Sequence, residues 1–325
     1  MTNLEVRPTE TLATPSGTCE SRFEVFDARE VPLGGIRGIL VRRTLPQRAL
    51  PTVGGWCFLD QFGPSTDVPM EVLPHPHTGL QTVTWPMSGE IHHRDSLGND
   101  VWVRPGELNL MTSGRNISHS EFSEPGELLG LQFWAALPSG AAEGEPSFQQ
   151  VRDLPVLEAD GVRIIVFVGC LGGVVSPAVV HTPLLGADAA FGSGARSTLA
   201  LRPDFEHAVL VISGSLVVDG RDLEPGPLAY LGAGRSDLTL AAGPDGARFV
   251  LLGGTPFEED LVMFWNFVGR SHEEVAAARA DWQADADLPP EQRRFGFVAG
   301  HGEQRIPSPD LPNVRLSPRR RRPAS

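Results

Sequence analysis

The chain has 325 residues, no lysine, and a formal net charge of −13 at pH 7. That balance argues against a nucleic-acid-binding surface, which is normally basic, and the missing lysine excludes Schiff-base and P-loop chemistry. No apolar run is long enough to span a bilayer, and the length allows two domains, each with its own core.

Residues 1–20 are polar and aperiodic and read as a disordered N-terminus. They lack the basic-then-apolar order of a secretory signal, so the expected location is the cytoplasm. The exclusive use of arginine points to a GC-rich, hence bacterial, genome. Cys19, Cys57 and Cys170 are odd in number and far apart, which predicts reduced thiols and no disulfide framework. Residues 34–46 and 53–64 are apolar runs bounded by Gly and Pro, the marks of strands. Residues 80–96 alternate and turn at Ser88-Gly89; residues 100–114 do the same around Pro105-Gly106. Another strand follows at 127–137. Many short strands with little helical periodicity predict a sandwich or small barrel over 21–140. Residues 141–161 are acidic and small, and 141–196 is the expected interdomain connection with crossing strands.

A second β series runs through 162–169, 197–203, 207–220, 226–232 and 247–254, with a second domain expected over 197–298. Its phrase GSLVVDG…LEPGPLAYL echoes SGEIHHRDS…VRPGELNLM in the first half, so one β unit is present twice. Ser271 with Glu274 is a capping box, and Val275, Ala278 and Trp282 share one face, which predicts a helix over about 272–283. Residues 299–325 read as a disordered Pro/Arg-rich tail. Its run Arg319 to Arg322 is a solvated terminus or a contact for a polyanion.

Chemistry concentrates in two phrases, His75-Pro76-His77 and His119-Ser120-Glu121. Residues i and i+2 of a strand point to one face. Two such strands side by side converge three imidazoles and one carboxylate on one point, a donor set for a first-row divalent ion and a poor one for Mg or Ca. Pro76 has no N–H and suits an edge position.

HPHTGLQT (75–82), GEIHHRDSLGN (89–99), GRNISHSE (114–121) and FWNFVGRSHEEVAAARADWQ (264–283) together resemble the pirin family of the cupin superfamily. The resemblance spans about 20 to 298. It implies an all-β bicupin: two antiparallel β-barrel (jelly-roll) domains, a short C-terminal helix, and one ion, Fe(II) foremost with Ni, Mn, Co, Cu or Zn as alternatives. The implied ligands are His75, His77, His119 and Glu121. His93 matches the family's recurrent histidine and either orients a ligand or substrate or binds backbone in the next turn. The family's Glu after HPH is replaced here by Gln81, which hydrogen-bonds but cannot act as a carboxylate base. That leaves Glu121 as the candidate for both ligand and base, with Gln81→Glu expected to raise turnover. The second half holds His181, His207, His272 and His301 but no HxH or HxE, and is expected to lack a metal.

Two functions follow from the resemblance. One is a metal-dependent dioxygenase acting on a flavonol-like (quercetin-type) aromatic. The other is a non-enzymatic, redox-responsive iron protein that binds a transcription factor or metabolic enzyme.

Overall fold

The computed structural model describes residues 11–13, 21–33, 39–66 and 68–317. Cys19 and the run Arg319 to Arg322 lie outside the described residues, as does most of the segment 1–20. Within that segment the strand Thr11–Ala13 pairs with Leu261–Phe264.

All interstrand pairing in the sheets is antiparallel, because Gly and Pro interrupt the chain often enough to fold it back on itself. In the first half a seven-stranded sheet runs in the order Ser147–Val151, Leu108–Thr112, Leu80–Ser88, Leu128–Ala136, Trp56–Ser65, Ile39–Leu45, Arg29–Leu33. A four-stranded sheet, Glu71–His77, Ile117–Phe122, Ile91–Asp95, Asp100–Val103, completes that half. The second half is one large sheet that includes Val162–Val168, Leu184–Phe191, Asp237–Gly254, Glu206–Val218 and Leu228–Gly232.

The seven-stranded sheet uses both faces, and the period of two in its strands sorts its side chains. Val83, Trp85, Leu131 and Phe133 join Phe167, Leu210, Tyr230 and Leu252 in one apolar core shared between the halves. A polar tie reinforces it: the Trp85 indole N–H donates to Asp188 Oδ2 at 2.9 Å, and Arg248 pairs with the same carboxylate at 2.7 Å. The opposite face of the sheet carries Thr84, Gln132 and Trp134 toward the four-stranded sheet. In the second half the main core is apolar, built from residues such as Val166, Phe191, Val209, Val211, Phe249 and Leu251.

The chain's ends change places across the domain boundaries expected at 21 and 299. Ser21–Phe26 pairs with Leu228–Gly232 of the second half. Residues 261–316 return to the first half, where Phe264, Phe267, Trp282, Phe295 and Leu316 form a separate core. The helix His272–Ala284 buries Val275, Ala278 and Trp282, the face its periodicity marks. The tail, expected to be disordered, is packed through residue 317. Leu316 is buried, Trp282 Nε1 donates to the Ile306 carbonyl, and the Ile306 N–H donates to the Pro74 carbonyl. Ile306, Leu311 and Leu316 give this proline-rich run enough apolar surface to lie down on the helix. Cys57 and Cys170 are free thiols, and burial pushes Cys57 up to about 12. No described helix is long and apolar enough to cross a membrane.

Candidate metal centre

His75 and His77 lie on the edge strand Glu71–His77, whose only partner in its sheet is Ile117–Phe122. An edge accommodates Pro74 and Pro76, which cannot donate to a ladder. His119 stands opposite His75 in that pairing, and the register slips between His119 and Glu121. Such a bulge re-aims the side chains that follow it. All four side chains are fully buried. The ligand atoms of His75, His77 and His119 lie within 4.8 Å of one another; those of His93, His119 and Glu121 do as well. The structure therefore gathers the four predicted residues, together with His93, into two overlapping groups that share His119, with Glu121 grouped beside His93 and His119 and not with His75 and His77.

Hydrogen bonds assign the imidazole protons. His75 Nδ1 is 2.9 Å from the Leu73 carbonyl, and His77 Nδ1 is 3.2 Å from the Asn266 carbonyl. A carbonyl only accepts, so both rings are protonated at Nδ1 and bare at Nε2. His93 Nε2 faces Asp95 Oδ2 at 3.1 Å, and His93 Nδ1 faces His119 Nδ1 at 3.4 Å. With His93 donating to Asp95, its Nδ1 accepts from His119, and His119 too is bare at Nε2. Burial, then repulsion among neighbouring imidazoles, holds His75 and His119 well below the usual histidine range. Burial does the same to His77, against the opposing Asn266 hydrogen bond. Burial works to raise the Asp95 carboxyl, but the hydrogen bonds from His93 and Asn99 outweigh it and hold it below its usual range.

This arrangement fits a bound cation. His77 Nε2 and His119 Nε2 are 3.1 Å apart, two lone pairs facing each other. His75 Nε2 is buried and has no hydrogen-bond partner among the described residues. An ion held by these side chains would remove the repulsion and supply the missing partner. The Thr84 hydroxyl lies 2.9 Å from Glu121 Oε1. Trp134 meets His77 edge-on at 5.3 Å, and Phe148 stacks on His93 at 4.6 Å.

Gln81 is not at the centre. On Leu80–Ser88 it alternates with Thr82 and Thr84 and so faces the other side of the sheet. Its Nε2 donates to Thr112 Oγ1 at 2.9 Å and to the Val179 carbonyl at 3.2 Å, and its Oε1 accepts from the His181 N–H at 3.4 Å. It ties the two halves together, and the base position assigned to it from the resemblance is corrected on that ground. His93 does not bind backbone in the next turn; Asp95 does, accepting from the Leu97 and Asn99 N–H groups.

No cluster of metal-ligating groups occurs in the second half among the described residues. His301 instead reaches back to Ser120 Oγ at 2.8 Å, and His272 Nδ1 accepts from the Leu316 N–H. Asp95, Thr84 and Asn266 complete the centre without having been singled out. Asp95 alone carried a signal: His93-Arg94-Asp95 has the same alternate spacing as the ligand phrases. Asn266 arrives from nearly 190 residues away, on a return segment that also touches Gly79. Gly79 has φ +69, and a Cβ there would collide with the Val268 carbonyl oxygen.

Two family patterns match the chain: Pirin over residues 38–135 and the Pirin C-terminal cupin domain over 186–286. A Pseudomonas aeruginosa protein named "Putative quercetin 2,3-dioxygenase" is 43% identical over 306 residues, 91% of this chain and 94% of its own. A pirin-like protein of Caulobacter vibrioides is 36% identical, over 80% of this chain and 92% of its own. The crystal structure of quercetin 2,3-dioxygenase from Acinetobacter baumannii aligns with a TM-score of 0.84 at 35% identity, over 90% of this chain and 96% of that one. Sequence patterns, relatives and architecture agree: this chain belongs to the pirin family and has its two-cupin fold.

Proposed function

We propose that the protein is a metal-dependent dioxygenase of flavonol-like, hydroxylated aromatic compounds, with one divalent transition ion held by His75, His77, His119 and Glu121. The observation that carries this reading is the convergence of three bare imidazole nitrogens, one of them a buried orphan, with the Glu121 carboxylate within 4.8 Å of a ring nitrogen of His119. The names of the relatives at 43% and 35% identity point to the substrate class. A protein-binding regulatory role draws on no observation at this site and is not favoured. The donor set admits Fe(II), our preferred ion, and also Ni, Mn, Co, Cu and Zn.

Bound there, such an ion would act as a Lewis acid that makes a substrate hydroxyl more acidic. The protein supplies the rest. Neutral imidazoles keep their lone pairs available near pH 7 because burial opposes their protonation. The Asp95–His93–His119 chain fixes one ring and strengthens it as a donor. Glu121 is the candidate acceptor for the substrate hydroxyl proton, and Thr84 donates to the same carboxylate or to Gln132. Trp134, Phe58 and Phe148 form dry walls that keep electrostatic interactions strong.

The test is anaerobic reconstitution with Fe(II), elemental analysis, and oxygen uptake on adding quercetin. Wild type should retain about one ion per chain and consume O₂, whereas His119→Ala should lose metal and at least about 100-fold in rate. Undiminished uptake in His119→Ala, or none in iron-loaded wild type, would refute the assignment.

A further inference from the structure

Three buried nitrogens on the inner face of the seven-stranded sheet have no hydrogen-bond partner among the described residues: Asn109 Nδ2, Gln132 Nε2 and Trp134 Nε1. Their residues are 2%, 0% and 1% exposed. They belong to one wall. Thr84 stands opposite Asn109 on one side and Gln132 on the other. Its hydroxyl lies 3.0 Å from Gln132 Oε1 and 2.9 Å from Glu121 Oε1, which places this wall against the metal centre. Trp134 is two residues along the strand from Gln132, on the same face, and its ring meets His77. Turning the Gln132 amide over exchanges the atom that bonds Thr84 and leaves the other unpartnered, so one polar end stays unsatisfied either way.

An unsatisfied buried polar group costs about 1–3 kcal/mol. Native interiors hold few such groups, and each calls for a reason. Packing gives none here, since apolar residues of similar size would fill the wall without that cost. The surfaces between the donors are flat and apolar. Phe58 lies parallel to Trp134 with ring centroids 4.0 Å apart, and Met111 follows Asn109 on the inner face. Donors spaced along an apolar wall match a planar ligand with several acceptor oxygens on its edge.

We propose that Asn109, Gln132 and Trp134 form a recognition row for the peripheral oxygens of the substrate, those not directed at the metal. The row selects polyhydroxylated flat aromatics over analogues that carry only the metal-binding oxygen pair. The identity of this ligand rests on the dioxygenase reading; the existence of the row does not.

The experiment is an anaerobic equilibrium titration of iron-loaded protein with quercetin and with 3-hydroxyflavone, which lacks the peripheral hydroxyls. Wild type should prefer quercetin by about tenfold, the equivalent of about one hydrogen bond. In the Asn109→Leu variant that preference should fall below about threefold, with 3-hydroxyflavone affinity changed less than about twofold. Circular dichroism checks the fold, and if Asn109→Leu does not fold, Asn109→Ala is titrated in its place. Equal weakening of both ligands, or no preference in wild type, overturns the row. Should neither flavonol bind, the dioxygenase reading fails, and millimolar catechol decides the row on metal-free protein. A rise in melting temperature in wild type that is absent in Asn109→Leu keeps it, and no rise removes it.

Discussion

His207 lies in the second half, on the strand Glu206–Val218, and is fully buried. Burial, with repulsion from Arg235, lowers its pKa from 6.5 to about 4. The unfolded chain therefore binds a proton in a window where the folded chain refuses it. The contribution of His207 to stability is complete above about pH 6.5 and is lost as pH falls toward 4, a total of about 3 kcal/mol. Denaturant titrations at pH 7 and pH 4.5 should show a smaller acid loss in His207→Phe than in wild type; equal losses would exclude His207 as the titrating group. Gln81 carries a second expectation at this scale. Glu in its place puts a carboxylate beside the Val179 carbonyl and removes a donor from Thr112. Gln81→Glu should cost about 1–3 kcal/mol in thermal unfolding and leave flavonol turnover no higher. An increase in turnover would return this position to the active site.

Among the elements, the return segment 261–306 matters most to the centre. It supplies the carbonyl that sets the His77 proton, and it packs behind the strands of the candidate centre through Thr78, Pro74 and Ser118. The helix His272–Ala284 anchors it. Ser271 Oγ accepts from the Glu274 N–H at 3.2 Å, as the capping box predicts. The reciprocal bond differs: Glu274 Oε2 accepts from the Arg270 N–H at 2.7 Å, one residue earlier than the usual pattern. Ser271→Ala should cost about 1 kcal/mol, a fall of about 2 °C in melting temperature, readable by calorimetry. No change would mean that Glu274 alone satisfies the helix start.

The whole molecule is two β units laced by their own ends. Ser21–Phe26 completes the second unit, and residues 261–316 cover the first. The shared core through Trp85, Phe133 and Phe167, with Asp188 at its edge, couples them further. Neither unit retains its surface complement alone, so the halves should unfold together. Scanning calorimetry should give one transition with matching calorimetric and van't Hoff enthalpies. Two resolved transitions would show that the exchanged ends contribute little. The division of labour follows from the interiors: the first encloses His, Glu, Asn, Gln and an Arg43–Asp60 pair at 2.7 Å, and the second encloses mostly aliphatic and aromatic side chains, with Glu206 and His207 among its few buried polar groups. A polar cavity can hold an ion and orient a substrate, whereas an apolar one supplies stability.

The β character, the repeat of two units, the helix with its cap and buried face, and the four side chains gathered at the candidate centre were all legible in the chain. Each depends on local periodicity, and alternate spacing in a strand converts directly into a shared face. Gln81 shows the limit of that rule. Its place after the HPH phrase suggested the active site, but alternation on its own strand turns it to the opposite face, and only the packed second half reveals what it binds there. The exchanged ends, the Asn266 carbonyl behind His77 and the row of unpartnered donors needed the tertiary structure. They are contacts between residues far apart in sequence, and no local pattern encodes which distant surface a segment covers once chain entropy and burial are balanced over the whole molecule.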